Sequence, residues 1–481
     1  MIAPLIKLSS YIFSKFRIFG SAAPNKQVIS ALLEIAYLAS LRTEEGRFVG
    51  GSITYANPQK PDVCPPITIR ADYPCFTAFR VQRKLTVDNL LKLSRAINNW
   101  TGSIVVYGTN KSNLIIWGVV DQLSQQNTSM VHENSSGFSS PGIMRINIDG
   151  IAALTVYHED VFLGSLRQDR IITKEQEAFQ SDFLARHIIP ALSQRASQIS
   201  LVLDRPSDSD QIGWHLYKEW GHAISRLCIG IRRIGTGGSL LITPTPINNM
   251  LNISYDFPYK RLGDSMTLNL LDQLFHRKQV RGYIDWTIKH KSAPISQSMY
   301  RKIRFADTDA TDRVDELTGS IKLVTSLATV DGLVLLKPSL EVTGFGVKIV
   351  SDSPIRKIYD AASYTRTGRF NKELDISNFG TRHSSMIRYC QTDKNAVGVV
   401  VSQDGQVRVV MTLGKSLIMW ENVKLLDHKR NLSAHRKDEL RSSEHRERLR
   451  HTTKYGYTDT PKTIKALLRF RPKKNRNKKS N

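Results

Sequence analysis

Val397-Gly398-Val399-Val400-Val401-Ser402-Gln403-Asp404-Gly405-Gln406-Val407-Arg408-Val409-Val410-Met411 is a pair of β-rich runs around a polar turn. Branched apolar runs broken by Gln403-Asp404-Gly405-Gln406 predict a hairpin, Val397–Val401 against Val407–Met411. Downstream, Ser416–Trp420 adds another strand-like run. Upstream, Thr381–Cys390 has helical spacing and is entered through Gly380. Farther back, Gly332–Leu336 reads as a short buried strand, and Leu340–Val350 continues the sheet with Gly344 and Gly346 at bends. Thr311–Leu327 reads as a helix, while Arg356–Tyr364 and Arg369–Ile376 read as polar connectors. This block, residues 301–426, is therefore expected to be a mixed central β-sheet flanked by helices, in a chain of the α/β (α+β) class.

The N-terminal block, residues 27–170, has the same mixed character. Val28–Leu41 places Ile29, Leu32, Leu33, Ala36 and Ala39 on one helical face. Leu85–Asn98 is a second helical pattern that opens at Thr86 with Asp88 in its first turn. Phe48–Tyr55, Ile104–Tyr107, Leu114–Val120, Met144–Tyr157 and Val161–Leu166 are strand-like, and Ser124–Pro141 reads as a polar loop. Residues 171–300 form a helical/β connecting region. Gln176–Ser197 is a helix interrupted at Pro190, and Trp214–Arg232 is another, ending at Gly235-Thr236-Gly237-Gly238. That glycine cluster follows a helix and precedes a strand, the reverse of a phosphate loop, so it reads as a helix C-cap and turn. Ser239–Thr243 and Leu251–Tyr255 read as paired strands, and Leu262–Phe275 returns to helix.

A chain of 481 residues exceeds one ordinary core. Its net charge is +25, and residues 427–481 alone carry 18 Lys+Arg against 6 Asp+Glu. That segment is expected to be a largely disordered basic tail, with Arg441–His451 as a basic helix inside it. Such a balance favours anionic partners without choosing among nucleotides, nucleic acid and anionic lipid. The tail's sparse aromatics and the lack of a zinc-finger or helix-turn-helix pattern argue against nucleic-acid binding as the primary function, leaving it a nonspecific contact. Cys64, Cys75, Cys228 and Cys390 have no C-x-x-C spacing, which fits reduced cysteines in a cytoplasmic protein. Residues 1–26 are an N-terminal extension. Met1–Gly20 is mildly amphipathic but interrupted by Lys7, Lys15 and Arg17, so a docking or frayed terminus is favoured over a surface-binding helix.

Two polar motifs flank the apolar runs of the C-terminal block. Asp331-Gly332-Leu333 precedes a strand, and Gly380-Thr381-Arg382-His383-Ser384 opens a helix. Asp is a hard oxygen ligand and Arg an always-charged phosphate fork, so the pair suits a metal-bound polyphosphate. Alone, Asp331-Gly332 also reads as a simple turn, Thr381-Arg382-His383 as a capped surface helix start, and Ser402-Gln403-Asp404 as a hairpin turn.

Together these residues resemble the diadenylate cyclase family, the nucleotide-binding domain of the DNA integrity scanning protein. In that family an Asp-Gly-Ala motif and an Arg-His-Arg motif frame ATP, and a Ser and an acidic residue follow at a strand end. Here the motifs read Asp331-Gly332-Leu333, Arg382-His383-Ser384 and Ser402 with Asp404. The resemblance implies a homo-oligomer in which facing domains condense two ATP into cyclic di-AMP, a second messenger, with Mg2+ or Mn2+. By it, Asp331, Arg382 and His383 are catalytic. Gly332, Leu333, Gly380, Thr381, Arg382, His383, Ser384 and Ser402 bind ATP, and Asp331 and Asp404 hold the metal. Two departures matter: Leu333 stands where the family has Ala, and Ser384 where it has a second Arg, with Arg388 the nearest substitute. Losing a charged hydrogen bond costs about 1.5–3 kcal/mol, which leaves open a slow cyclase or a nucleotide sensor without turnover. The N-terminal block resembles the probable sensor domain that precedes some diadenylate cyclases, on Glu44-Glu45-Gly46-Arg47, the Leu85–Asn98 helix and Leu114-Ile115-Ile116-Trp117-Gly118. It implies a regulatory ligand of unknown identity.

Overall fold

A computed structural model of the chain describes residues 2–19, 24–44, 47–48, 50–59, 75–97, 101–121, 144–158, 161–167, 169–289, 297–365, 368–377, 379–403 and 405–425. Asp404, the Ser124–Pro141 loop and the basic tail lie outside the described residues. The chain divides into two compact units. One holds Met1–Ala191, Trp220–Lys260 and Ile321–His428, and the other is built on Leu192–Glu219 and Arg261–Ser320.

The first unit begins with α1 (Ala3–Phe19) and α2 (Lys26–Ser40). Leu5, Leu8, Ile12 and Phe16 recur at helical spacing and are all buried, so the N-terminal helix docks its apolar face into the core. After a ribbon of two-residue strands, β1 (Thr43–Glu44) and β2 (Arg47–Phe48), the chain runs through β3 (Gly51–Tyr55), β4 (Cys75–Lys84), α3 (Val87–Ser94), β5 (Gly102–Tyr107) and β6 (Ile115–Asp121). Thr86 caps α3 by accepting a hydrogen bond from the Asn89 backbone, as its position before Asp88 predicts. The strands β7 (Met144–Gly150), β8 (Ala153–His158), β9 (Val161–Arg167) and β10 (Arg170–Ile172) complete a sheet of order β10-β9-β8-β7-β3-β5-β6-β4. Its neighbours are antiparallel except for β3 and β5.

The chain then enters α4 (Asp182–Val202) and α5 (Ser209–Ile234). Pro190 sits inside α4, which continues through the expected break. A second mixed sheet follows, built from β11 (Gly238–Ile242), β12 (Leu251–Tyr259), β13 (Leu333–Leu336), β14 (Val342–Ile349), β15 (Ile358–Asp360), β16 (Val397–Val401), β17 (Val407–Leu413) and β18 (Ser416–Trp420). Its order is β12-β14-β13-β11-β16-β17-β18-β15. The hairpin of the opening motif is present, with Val399 opposite Val409. Two expectations change. Ser239–Thr243 and Leu251–Tyr255 do not pair, because β13 and β14 lie between β11 and β12. Ile358–Asp360, inside an expected connector, is an edge strand parallel to β18.

Every residue of β11, β13 and β16 is buried. Continuous burial marks a sheet covered on both faces, which is why these strands read as unbroken apolar runs. On one face lies α8 (Thr381–Thr392), placed after α6 (Arg261–Lys289) and α7 (Gln297–Leu327) in the chain. Met386, Ile387, Tyr389 and Cys390 pack there against Leu241, Leu335, Val400 and Val410. Gly398 permits this approach, since a side chain there would collide with Met386. On the opposite face the ring of Phe183 from α4 lies 6.4 Å from Trp420.

The segment between the sheets is stitched onto the second. Gln176 N–H donates to Asn422 O at 3.1 Å, and Lys424 N–H donates to Gln176 O at 2.8 Å. Its side-chain amide donates to the buried Asp360 carboxylate at 2.9 Å and accepts from Glu421 N–H at 3.1 Å. The helical unit carries its own ion pairs, Arg195 with Asp264 and Arg313 with Asp272 and Glu316. No helix among the described residues is long and apolar enough to cross a membrane.

Candidate functional site

Sheet polarity decides which loops meet. Strands β11 and β13 are parallel, so both begin at the same end of the sheet. Strand β16 is antiparallel to β11 and pairs Val401 with Gly238, so it ends where they begin. The Asp331-Gly332 turn, the Gly235–Gly238 turn and the Ser402 turn therefore share one end. Helix α8 starts there as well, because Arg382 Nη1 donates to Thr236 O at 3.0 Å.

Asp331 is exposed, and its Oδ2 lies 3.1 Å from Lys348 Nζ on β14. Both side chains are largely solvated, so the pair contributes little stability and either partner is open to exchange. Gly332 has φ +117°, and a Cβ there would lie 2.6 Å from the Gly346 carbonyl carbon and 2.8 Å from Val347 N. Only glycine fits, and this close approach lets the Asp331 turn lie flat against β14. Leu333 is buried in the core on the α8 side.

Thr381 and Arg382 are exposed in the first turn of α8. The N-cap, Gly380, has no side chain to cap the helix, which leaves a partial positive charge at this end. His383 turns inward and is 9% exposed, with its ring centroid 5.3 Å from that of Phe379. Ser384 Oγ lies 3.4 Å from Phe379 O. Arg388 is directed elsewhere, its Nε donating to Ser353 O at 3.1 Å. The first turn thus presents one exposed guanidinium.

The Gly235–Gly238 turn is the helix C-cap its sequence predicts. Gly235 has φ +81° and closes α5 by donating to Arg232 O at 3.1 Å. Its second role was not legible in the sequence. A Cβ at Gly237 would meet Arg382 Nη1 at 2.8 Å and Val401 O at 2.9 Å, so this glycine lets α8, β11 and β16 converge. Ser402 bonds back across its own turn, with its hydroxyl donating to Gln406 O at 3.1 Å. Among the described residues no group of three or more His, Cys, Asp or Glu side chains could hold a metal. Asp331 is a single exposed carboxylate, a hard oxygen ligand that could hold a divalent cation only with further oxygens from elsewhere.

The site contains a residue that motif reading missed. Arg408 on β17 is buried, and its Nη1 lies 3.0 Å from His383 Nε2. Its alternation with Val407 and Val409 gave no warning of this contact.

Comparison with known families places one part of the chain. Residues 20–121 match the family described as Probable sensor domain DACNV, the sensor domain of diadenylate cyclases. The match takes in α2, α3 and β1 to β6 and does not extend to the Asp331–Ser402 region. No curated protein and no solved structure matches the chain.

Proposed function

We propose that this protein is a diadenylate cyclase that condenses two ATP molecules into cyclic di-AMP and releases pyrophosphate, under the control of its DACNV sensor domain. The observation that carries the reading is the meeting of Asp331-Gly332, Arg382 and Ser402 at one end of the second sheet, in a chain that also bears this sensor.

In this reading Arg382 and the uncapped start of α8 hold the triphosphate, by a charged fork and by the helix dipole. Thr381 adds a hydroxyl to the same turn. Asp331, with phosphate oxygens, would hold Mg2+ or Mn2+, which when bound lowers the pKa of the ribose 3′-hydroxyl and neutralises the leaving pyrophosphate. Each 3′-hydroxyl releases its proton to water as its oxygen attacks the α-phosphorus of the other ATP, and the bond from that phosphorus to the pyrophosphate oxygen breaks. Two such steps need two facing sites, so the active form is a homo-oligomer. The test is incubation of the full chain with ATP and either metal, with products resolved by mass spectrometry. A cyclic di-AMP peak that disappears in Asp331→Asn supports the reading, whereas full activity in that variant removes Asp331 from the mechanism.

The arrangement around Ser384 favours a second reading, a nucleotide sensor with little or no turnover. The position lacks a guanidinium, and Arg388 is turned toward Ser353. This predicts saturable nucleotide binding without pyrophosphate release, and a gain of activity in Ser384→Arg.

A further inference from the structure

The Asp331 turn carries a cation beside it. Lys348 extends from β14 with its Nζ 3.1 Å from Asp331 Oδ2, and the two side chains are 61% and 84% exposed. So solvated an ion pair is worth little by itself. The backbone beneath it is what sets the two residues together. A Cβ on Gly332 would lie 2.6 Å from the Gly346 carbonyl carbon and 2.8 Å from Val347 N and O, so the turn is pressed against the residues immediately before Lys348. Leu333 then sits opposite Val347 in the ladder between β13 and β14. Strand packing, rather than charge attraction, thus fixes Lys348 next to Asp331.

This pair stands at the end of the sheet that also receives Arg382 and the Ser402 turn. Strand β14 is two places from β11, and Arg382 donates to the turn that leads into β11. At about 4.8 Å per strand, roughly 10 Å of sheet edge separates the two cationic positions. A positive charge at each end of such a span suits one polyphosphate nucleotide. With Ser at position 384 and Arg388 turned to Ser353, the start of α8 offers one exposed guanidinium. Lys348 is placed to add a second charge from the opposite side. A lysine ammonium binds phosphate as a compact point charge and needs no fixed fork geometry.

We propose that Lys348 is a phosphate-binding residue of this site, held at rest by Asp331 and passed to a phosphate oxygen when a nucleotide binds. The exchange breaks no covalent bond and moves no proton: the ammonium leaves one anionic oxygen for another, and the carboxylate is opened to solvent or to a cation. Without metal, Asp331 therefore competes with the nucleotide for Lys348. The inference rests on the nucleotide reading of this end of the sheet, and not on turnover.

The test is calorimetric titration of the full chain with α,β-methylene ATP, which cannot be cleaved at that bond, in EDTA at one salt concentration. Lys348→Met should weaken binding roughly tenfold or more, the loss of one charged hydrogen bond. Lys348→Arg, which keeps the charge, should retain most of the affinity. Asp331→Asn should bind more tightly than the wild type, by about two- to fivefold, because the resting partner is gone. Lys357→Met is the control for net charge. Lys357 is an exposed lysine paired with Glu373, and its loss should leave the affinity unchanged. Both members of the Lys348–Asp331 pair are exposed, so these variants should fold as the wild type does. Wild-type affinity in Lys348→Met, an equal loss in Lys357→Met, or weaker metal-free binding in Asp331→Asn each overturns the inference, as does a wild type that does not bind the analogue. Lys348-dependent binding in a chain that makes no cyclic di-AMP from ATP and metal would defeat the cyclase reading and leave the role of Lys348 standing. Cyclic di-AMP formation with unchanged binding in Lys348→Met would do the reverse.

Discussion

Replacing Gly332 with Ala tests whether the Asp331 turn is held as tightly against β14 as the structure has it. Two costs add. At φ +117° an L-residue is strained, at roughly 1–2 kcal/mol. The new Cβ would also lie 2.6–2.8 Å from three backbone atoms of Gly346 and Val347. Backbone in a paired strand has nowhere to retreat, and overpacking of this kind costs about 1–3 kcal/mol. The expected loss is about 2–5 kcal/mol. For a domain of ordinary size, that lowers the melting temperature by roughly 4–20 °C. Gly235→Ala serves as the internal control. It shares the positive φ, +81°, but an added Cβ has no atom within 4 Å, so only the conformational part of about 1 kcal/mol is lost. Differential scanning calorimetry of the wild type and both variants at one pH separates the terms. Equal losses in the two variants would refute the close approach of Gly332 to β14. A Gly332→Ala protein as stable as the wild type would refute both the contact and the backbone conformation.

Other outcomes follow from the same structure. Cys228 and Cys390 are buried, and burial raises both thiol pKa values, that of Cys228 to about 12. At pH 8 iodoacetamide should label the exposed Cys75 in the native protein and reach Cys228 and Cys390 only after unfolding, as peptide mapping would show; rapid native labelling of either contradicts their burial. Because these thiols hold their protons longer when folded, their contribution to stability is complete below the unfolded value of about 8.5 and declines as pH rises through the folded values. Chemical denaturation at pH 7 and pH 10 should show the lower midpoint at pH 10, with Cys228→Ala/Cys390→Ala reducing the difference. Removing residues 427–481 takes away 18 Lys+Arg and 6 Asp+Glu, so the salt dependence of nonspecific binding to single-stranded DNA or anionic vesicles should flatten. An unchanged slope would leave the tail as a solubilising extension. Gln176→Ala withdraws one donor from the buried Asp360 carboxylate, which keeps Lys372 and the Ala362 N–H, so a loss of about 1–3 kcal/mol is expected in the same calorimetry.

Much of the second sheet was legible because its strands are short, apolar and separated by strong turn residues. Val397–Val401 and Val407–Met411 could hardly be other than a hairpin, and the Thr86 cap was visible three residues ahead of the backbone group it serves. Strand order was less legible. β11 and β12 adjoin in sequence, and proximity invites pairing, but the register is set by β13 and β14, which lie some ninety residues farther on. Ile358–Asp360 is too short to show a period. At the site, the expected polar residues were readable as types, while their meeting depended on the polarity of β16 relative to β11. Arg408 escaped because an arginine between two valines reads as the solvent side of a strand. The available warning was that its neighbour, Val397–Val401, is apolar at both parities, so both faces had to be covered and any charge among them had to find partners.

The stitch at Gln176 has a practical consequence for dissecting this chain. A boundary between the two sheets looks natural after Ile172, where the last strand of the first sheet ends. Yet Gln176 completes the second sheet's far corner through four hydrogen bonds, to the backbones of Asn422, Lys424 and Glu421 and to the Asp360 carboxylate. A fragment beginning at Asp182 would lose all four, taking one donor from Asp360 and leaving the Glu421 N–H to find another acceptor. Glu421 is also the carboxylate facing Arg408. Excising the second sheet would thus disturb the wall behind His383, and a fragment prepared that way would report on the cut as much as on the site.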